Sequence, residues 1–219
     1  PENAVSHHAT GRLENRGIGC RPTSLSQRIM NSPLELFQID RARAREAGDP
    51  MAAVCVLATV DEYGQPEART LVLRQVEDDL ALFIHESSPK WQQIQRGGSI
   101  NTYWPSIEIQ YRMQFATVPI DPAVVAASWQ YRPDTPKRMD WFYDLKQPQS
   151  TVIGSRKELE QGLDALSLPD PLTAPETARG LLVKPTRLER LDLNELSGLH
   201  DRRRYTLVDT QWQEDILVP

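Results

Sequence analysis

A turn that leads directly into an alternating strand, at residues 61–74, constrains the fold more than any other segment of this 219-residue chain. The turn carries Asp61, Gly64 and Pro66, which are residue types typical of tight turns. An apolar strand over 53–60 precedes the turn, and another strand over 80–85 follows the alternating one. Three short strands in succession predict an antiparallel sheet that curves into a small barrel.

The segment after these strands predicts a helix start that suits an anion. Ser88 is a typical N-cap, and Pro89 is a typical first helical residue. The unpaired N–H groups of a helix start, beside the ammonium of Lys90 and one strand away from Arg69, suit a phosphate group. The same residues also fit a capped surface helix and a solvated strand arginine, and the residues alone leave both interpretations open.

Periodicity elsewhere predicts one mainly β domain with peripheral helices, an α+β fold. Residues 107–118 alternate between apolar and polar side chains, which indicates a strand with one buried face. A capping box at Ser32 begins the first helix. Further helices are predicted over 121–129, 136–144 and 155–166, and further strands over 180–184, 187–193, 205–208 and 212–218. Residues 1–31 show no periodicity and are interpreted as a flexible tail, so that 32–219 form the single domain.

Composition disfavours several classes of function. The formal net charge of −5 argues against a protein that reads a nucleic-acid backbone, which needs a basic face. No apolar run approaches the ~20 residues that cross a bilayer, so no membrane association is expected. Cys20 and Cys55 form no disulfide framework, and Cys55 lies in an apolar strand, which favours a reducing cytoplasm. The chain has no Ser/His/Asp triad, P-loop or Cys/His cluster pattern, so no metal is expected.

Some polar residues have both a functional and an ordinary interpretation. Arg112 lies on the polar face of the 107–118 strand, where it either lines a ligand cleft or is solvated. His200 stands in a predicted loop, where a lone histidine is usually a surface residue. The arginines at 202–204 are either a solvated run or a subunit contact.

The motifs, in this order, resemble the pyridoxamine phosphate oxidase family of FMN-binding split barrels over about residues 33–219. Residues 58–66 resemble the first hairpin of that family, and residues 69–74 resemble its Arg-x-x-Leu-x-Lys flavin strand, with Arg74 in place of lysine. Lys90 with Gln93-Ile94 resembles its phosphate-binding helix. Gln149-Ser150 resembles the Gln-Ser that closes over the flavin from the partner subunit, and residues 199–202 resemble the C-terminal Leu-His-Asp-Arg.

The resemblance implies a split β-barrel and a homodimer with FMN sites at the subunit interface. Arg69, Lys90 and Ser150 would hold the phosphate and ribityl end of FMN. The backbone of residues 70–73 would lie along the isoalloxazine ring, with Arg112 and Gln149 on its polar edge. The cofactor-binding residues implied in this way are Arg69, Thr70, Leu71, Val72, Leu73, Arg74, Ile84, His85, Lys90, Arg112, Gln149, Ser150 and Arg202.

The resemblance also implies an FMN-dependent oxidoreductase that oxidises a small molecule by two electrons. His200 and Arg132 are the candidate catalytic residues, as remnants of the substrate site of the family. Gly198 replaces an arginine of that site and Pro136 replaces a serine, so the substrate itself is not predicted. Two alternatives remain, namely a genuine pyridoxamine/pyridoxine phosphate oxidase and a flavin-binding module without turnover.

Overall fold

The structure is a computed structural model that describes residues 32–194 and 196–219. The expected tail, residues 1–31, lies outside the described residues. The helices of the described part are α1 (Pro33–Glu46), α2 (Pro89–Ile94), α3 (Pro122–Gln130), α4 (Asp134–Leu145) and α5 (Arg156–Asp164). The strands are β1 (Val54–Val60), β2 (Pro66–Val72), β3 (Arg74–Val76), β4 (Asp79–His85), β5 (Ser99–Trp104), β6 (Ile109–Pro119), β7 (Ala178–Asp192), β8 (Asp201–Val208) and β9 (Gln211–Ile216).

These strands form one antiparallel sheet of nine strands within the described residues. The strand order is β2-β1-β5-β6-β7-β4-β3, and β8 pairs with both β7 and β9. The first and last strands of this path, β2 and β3, are consecutive along the chain and are separated only by Leu73. The predicted fold class, mainly β with peripheral helices, is therefore confirmed.

The interior of the sheet is apolar because strand alternation places one set of side chains inside. In β6, Ile109, Tyr111 and Met113 are buried, whereas Arg112 is exposed on the other face. Phe37 of α1 covers this interior, and its ring lies 5.0 Å from the ring of Tyr111 between centroids.

The buried carboxylate of Asp40 connects α1 to the sheet. Asp40 is 1% exposed, and its Oδ2 accepts hydrogen bonds from the Tyr111 hydroxyl at 2.6 Å and from Arg190 Nε at 2.9 Å. Tyr111 belongs to β6 and Arg190 to β7, so one carboxylate connects the helix to two strands. Arg43 also donates to Asp40 Oδ1, at 2.8 Å.

Two strand predictions differ from the structure. Strand β5 was not expected, because its buried positions include Thr102 as well as Ile100 and Trp104, which weakens the apolar signal. Strand β7 is one 15-residue strand where two were expected on either side of Pro185. The register of β6 against β7 shifts beside Pro185, so the missing proline N–H falls at an irregular point of the ladder.

Candidate functional site

A cleft of about 650 Å³ opens between the sheet and the helical insertion. Strands β2, β3 and β4 form one wall, and helices α3 and α4 form the other. A volume of this size is typical of a site for a cofactor or small molecule. The residues predicted for the site that line this cleft are Thr70, Leu71, Val72, Arg74, Ile84, His85, Lys90, Arg132 and Gln149.

One end of the cleft is electropositive. Lys90 is half-buried, and its Nζ donates to Ser88 Oγ at 2.5 Å and to Gln149 Oε1 at 3.4 Å. Burial, and then the nearby charge of Arg69, lower the pKa of Lys90 below its ordinary value. No ion pair joins Lys90 to a carboxylate within residues 32–194 and 196–219, so its charge is available to an anion.

Arg69 lies near Lys90 but outside the lining of the cleft, and it is held by polar neighbours from three elements. Its guanidinium donates to Thr59 of β1 at 2.5 Å, to Gln93 of α2 at 2.6 Å and to Glu67 at 2.7 Å. Arg69 is not among the residues that line the cleft. It therefore adds positive charge beside Lys90, although part of that charge is compensated by Glu67.

Gln149 reaches this end of the cleft within a single chain. Its side chain accepts from Lys90, and its backbone N–H donates to Ser87 Oγ at 3.1 Å. The tertiary fold closes the 59-residue separation along the chain, so the contact between Gln149 and Lys90 forms without a second chain. The expectation that Gln149 closes over the flavin from a partner subunit stays a prediction. Ser150 is exposed, with φ +72°, and does not line the cleft.

His85 connects the floor of the cleft to the insertion. The Ser87 N–H donates to His85 Nδ1 at 3.2 Å, so the ring proton is assigned to Nε2. Nε2 lies 3.2 Å from Asp144 Oδ1 and 2.9 Å from Thr177 Oγ1. Burial lowers the pKa of His85, and this outweighs the opposing effects of Asp144 and Asp140.

The α4 side of the cleft contains an ion pair between Arg132 and Asp140, beside apolar side chains. Arg132 Nη1 donates to Asp140 Oδ2 at 2.5 Å, and Trp129 Nε1 donates to the same oxygen at 2.7 Å. Asp140 is 3% exposed, and burial raises its pKa against the lowering effect of Arg132. The apolar and aromatic side chains that line the cleft with this pair are Val76, Phe83, Val125, Trp129, Met139 and Tyr143.

A second, smaller pocket of about 160 Å³ lies on the outer face of the sheet and contains Arg112 and Arg202. Both arginines donate to Glu189 Oε2, with Arg202 at 3.0 Å. Burial alone would raise the pKa of Glu189, but the hydrogen bonds from Arg202 and Arg112 lower it to about 2. Gln110 also lines this pocket, which shares no lining residue with the large cleft.

Two further predicted site residues do not lie in either pocket. Leu73 is 2% exposed, its N–H donates to Ala53 at 3.0 Å, and its carbonyl accepts from Arg41 at 2.5 Å. Its backbone N–H and carbonyl are thus both occupied, and its contact with the ring stays a prediction. His200 is exposed in the loop before β8 and lines neither pocket.

The sequence-based interpretation missed Asp140, Gln110 and Glu189. Gln110 carried a usable signal, because it lies two residues from Arg112 on the same strand face. Asp140 and Glu189 carried none, since each is recognised only by the arginine that it contacts in the folded chain. Among residues 32–194 and 196–219, no three metal-ligating side chains cluster together. Nor does any helix in those ranges have the length and apolar character to cross a bilayer.

Comparison with known proteins gives relatives over nearly the whole chain. A pyridoxine/pyridoxamine 5'-phosphate oxidase from Pseudomonas fluorescens (strain SBW25) is 32% identical over 200 residues, covering 86% of this chain and 89% of that protein. The protein of the same name from Shewanella sp. (strain MR-7) is 32% identical over 216 residues, covering 95% and 97%. No protein-family model matches the chain.

Solved structures show the same fold. PhzG from Burkholderia lata 383, in complex with tetrahydrophenazine-1-carboxylic acid, superposes with a TM-score of 0.73 at 20% identity, covering 88% of this chain and 95% of PhzG. A pyridoxamine 5'-phosphate oxidase-related, FMN binding protein from Nostoc punctiforme PCC 73102 gives a TM-score of 0.69 at 23% identity, covering 87% of this chain and all of that one. The fold expected from the motifs, an FMN-binding split barrel, is confirmed, and the chain belongs to the pyridoxine/pyridoxamine 5'-phosphate oxidase family.

Proposed function

We propose that the chain binds FMN in the large cleft and is an FMN-dependent oxidoreductase. The observation that carries this proposal is Lys90, a half-buried cation beside Arg69 at one end of a cleft of about 650 Å³. An ammonium without a carboxylate partner suits a terminal phosphate. The cleft volume of about 650 Å³ also leaves room for a ring system. The residues present therefore fit FMN.

Each part of the cleft has a defined task in this proposal. Lys90 and Arg69 would hold the phosphate, and Gln149 would orient Lys90 through the contact at 3.4 Å. Residues 70–72 of β2 line the cleft and would lie along the ring. Bound FMN would supply two-electron chemistry, and the walls from α3 and α4 would exclude water and position the donor molecule.

We further propose that two copies of the chain complete the site. Arg112 and Arg202 lie in a pocket that shares no lining residue with the cleft. If both arginines contact the flavin bound at Lys90, they come from a second chain. Glu189 would hold them in place, since it accepts hydrogen bonds from both. The dimer proposal thus rests on Arg112 and Arg202.

Charge reversal at Lys90 tests the cofactor site. Lys90→Glu should weaken FMN binding between about tenfold and about 150-fold, because a hydrogen bond to a charged group contributes about 1.5–3 kcal/mol. Lys157→Glu is the matched control, since Lys157 is exposed on α5 and does not line the cleft. Fluorescence titration of FMN measures both variants. Equal affinities in the two variants would remove Lys90 from the site.

A genuine pyridoxine/pyridoxamine phosphate oxidase is the second candidate function. The names of the curated relatives, at 32% identity, favour it. Against it, Pro136 in the cleft offers no hydrogen-bond donor, and Gly198 lies in an exposed loop with φ +73° and has no side chain. A phosphate that loses water without a matched partner binds weakly. We therefore expect little oxidation of pyridoxamine phosphate by the FMN-loaded protein.

Steady-state oxygen uptake separates these candidates. A kcat/KM for pyridoxamine phosphate of about 10⁴ M⁻¹s⁻¹ or more, within the ordinary range for enzymes, would establish the second candidate. Anaerobic bleaching of the flavin absorbance, measured across a panel of donor molecules, identifies turnover of any other substrate. A flavin-binding module without turnover would bleach with none of them.

A further inference from the structure

We infer that Asp140 sets the class of substrate, so that the part of the cleft around Arg132 accepts an uncharged planar ring and gives a phosphate ester no advantage. The inference rests on the proposed FMN function, because it concerns the part of the same cleft that Arg132 and α4 line. Its basis is the contact between Asp140 and Arg132, which places a carboxylate against the cation of that region.

The ion pair with Asp140 neutralises the charge of Arg132. Its Nη1 lies 2.5 Å from Asp140 Oδ2, and Trp129 Nε1 donates to the same oxygen at 2.7 Å. Trp129 is 2% exposed and Asp140 is 3% exposed, so packing holds both partners in place. A guanidinium already paired with a buried carboxylate attracts a second anion weakly, because the pair has no net charge.

The surroundings favour an apolar aromatic occupant. Met139 and Tyr143 are on α4 with Asp140, and Phe83 lines the same cleft from β4. Arg179 also lines the cleft, but its guanidinium is paired with Glu86 at 2.5 Å. Flat apolar walls stabilise a planar ring through burial and aromatic contact, and they provide no compensation for the lost hydration of a phosphate.

Arg74 is the competing explanation for any anion preference. It is exposed, lines the cleft from β3, and forms no ion pair within the described ranges. Its backbone pairs with Ala81 of β4. The test therefore includes a variant of Arg74.

The experiment compares two ligands that differ only in phosphate, pyridoxine and pyridoxine 5'-phosphate. Isothermal titration calorimetry of the FMN-saturated protein gives the ratio of their dissociation constants. The wild-type ratio should lie within about threefold of one. In Asp140→Asn, which keeps the shape and the acceptor for Trp129 but frees the charge of Arg132, the phosphate ester should gain about tenfold or more over pyridoxine.

Three further variants serve as controls for this experiment. Asp134→Asn makes the same charge change on the same helix at an exposed acid that contacts no arginine, and it should leave the ratio unchanged. The double variant Arg132→Gln/Asp140→Asn should return the ratio to the wild-type value. Asp140→Ser removes the same charge with a smaller side chain, and should also favour the phosphate ester if Asp140→Asn does not fold.

The outcomes separate this inference from the proposed function. A wild-type preference above about tenfold for the phosphate ester overturns the inference, as does an unchanged ratio in both Asp140 variants. A preference that disappears in Arg74→Gln assigns anion recognition to Arg74 and also overturns it. FMN retention is measured on the same samples, and its loss in the wild type overturns the proposed function. When FMN is retained, the ligand ratio tests the inference alone.

Discussion

At the scale of single residues, His85 makes the stability of the cleft depend on pH. It is 6% exposed, and burial lowers its pKa below the ordinary value of 6.5. The unfolded chain therefore takes up a proton at a higher pH than the folded chain does. Stability from the neutral imidazole is fully present above pH 6.5, and it is lost as the pH falls from 6.5 through the lower folded pKa.

Replacing His85 should remove part of this pH dependence. Thermal unfolding of the wild type should show a melting temperature that decreases between pH 7 and pH 5, and His85→Gln should flatten that decrease because glutamine does not titrate. His200→Gln, at an exposed loop histidine, is the control and should retain the wild-type slope. Parallel slopes in the wild type and His85→Gln would show that other groups cause the acid sensitivity.

At the scale of elements, the attachment of α1 depends on one buried carboxylate. Asp40 accepts from Tyr111 of β6 at 2.6 Å and from Arg190 of β7 at 2.9 Å. Asp40→Ala should reduce the free energy of unfolding by about 3 kcal/mol, since it leaves the Tyr111 hydroxyl and Arg190 Nε without their shared acceptor, although Asp192 Oδ2 still pairs with Arg190 at 2.9 Å. Tyr111→Phe removes only the hydroxyl donor and should reduce it by about 1 kcal/mol.

Urea unfolding, followed by tryptophan fluorescence, measures both variants of this attachment. The two midpoints should differ clearly while the slopes with denaturant concentration stay similar. Equal losses in Asp40→Ala and Tyr111→Phe would mean that the hydroxyl, rather than the contact with Arg190, carries the stabilisation.

At the scale of the whole molecule, the proposed dimer can be tested by complementation. If Lys90 of one chain and Arg202 of the other hold the same FMN, Lys90→Glu and Arg202→Glu are each defective alone. After mixing and reassociation of equal amounts, half the dimers contain one chain of each kind, and each of these has one site with neither substitution. About a quarter of all sites should then bind FMN with wild-type affinity.

FMN titration of the mixture, with sedimentation to establish the dimer, provides the measurement. A mixture that binds no better than the average of its two components would show that Lys90 and Arg202 do not share a flavin. A flavin-loaded monomer in sedimentation would exclude the dimer directly. Each variant titrated alone is the reference for the mixture.

Local patterns in the sequence were sufficient for most elements and for part of the site. The alternation of Arg112 with buried neighbours in β6 follows from the twofold period of a strand, and a strand of about 12 residues is long enough to show it. The start of α1 at Ser32, whose Oγ accepts from the Leu34 N–H at 3.2 Å, follows from the unpaired donors of a helix end. The lining of the cleft by residues 70–72 and by Lys90 was expected from the motifs that carry the family resemblance.

Long-range contacts could not be predicted from these local sequence patterns. Strand β5 was missed because a buried Thr102 interrupts its apolar pattern, although its backbone pairs with both β1 and β6. Leu73 was assigned to the flavin because it belongs to the 69–74 strand that carries the family resemblance. Its side chain faces the core, and no neighbour in sequence indicates that Arg41 occupies its carbonyl.

The sequence by itself determined where strands, turns and helix starts occur, because these depend on periodicity and capping among residues a few positions apart. Only the tertiary structure decided which charges remain free. Lys90 meets the neutral Gln149 across 59 residues, whereas Arg112 meets Glu189 across 77. Arg132 is only eight residues from Asp140, but the two belong to a turn and a helix whose packing brings them together. The net charge of each region depends on which partners the fold places within hydrogen-bonding distance, and local periodicity carries no information about that choice.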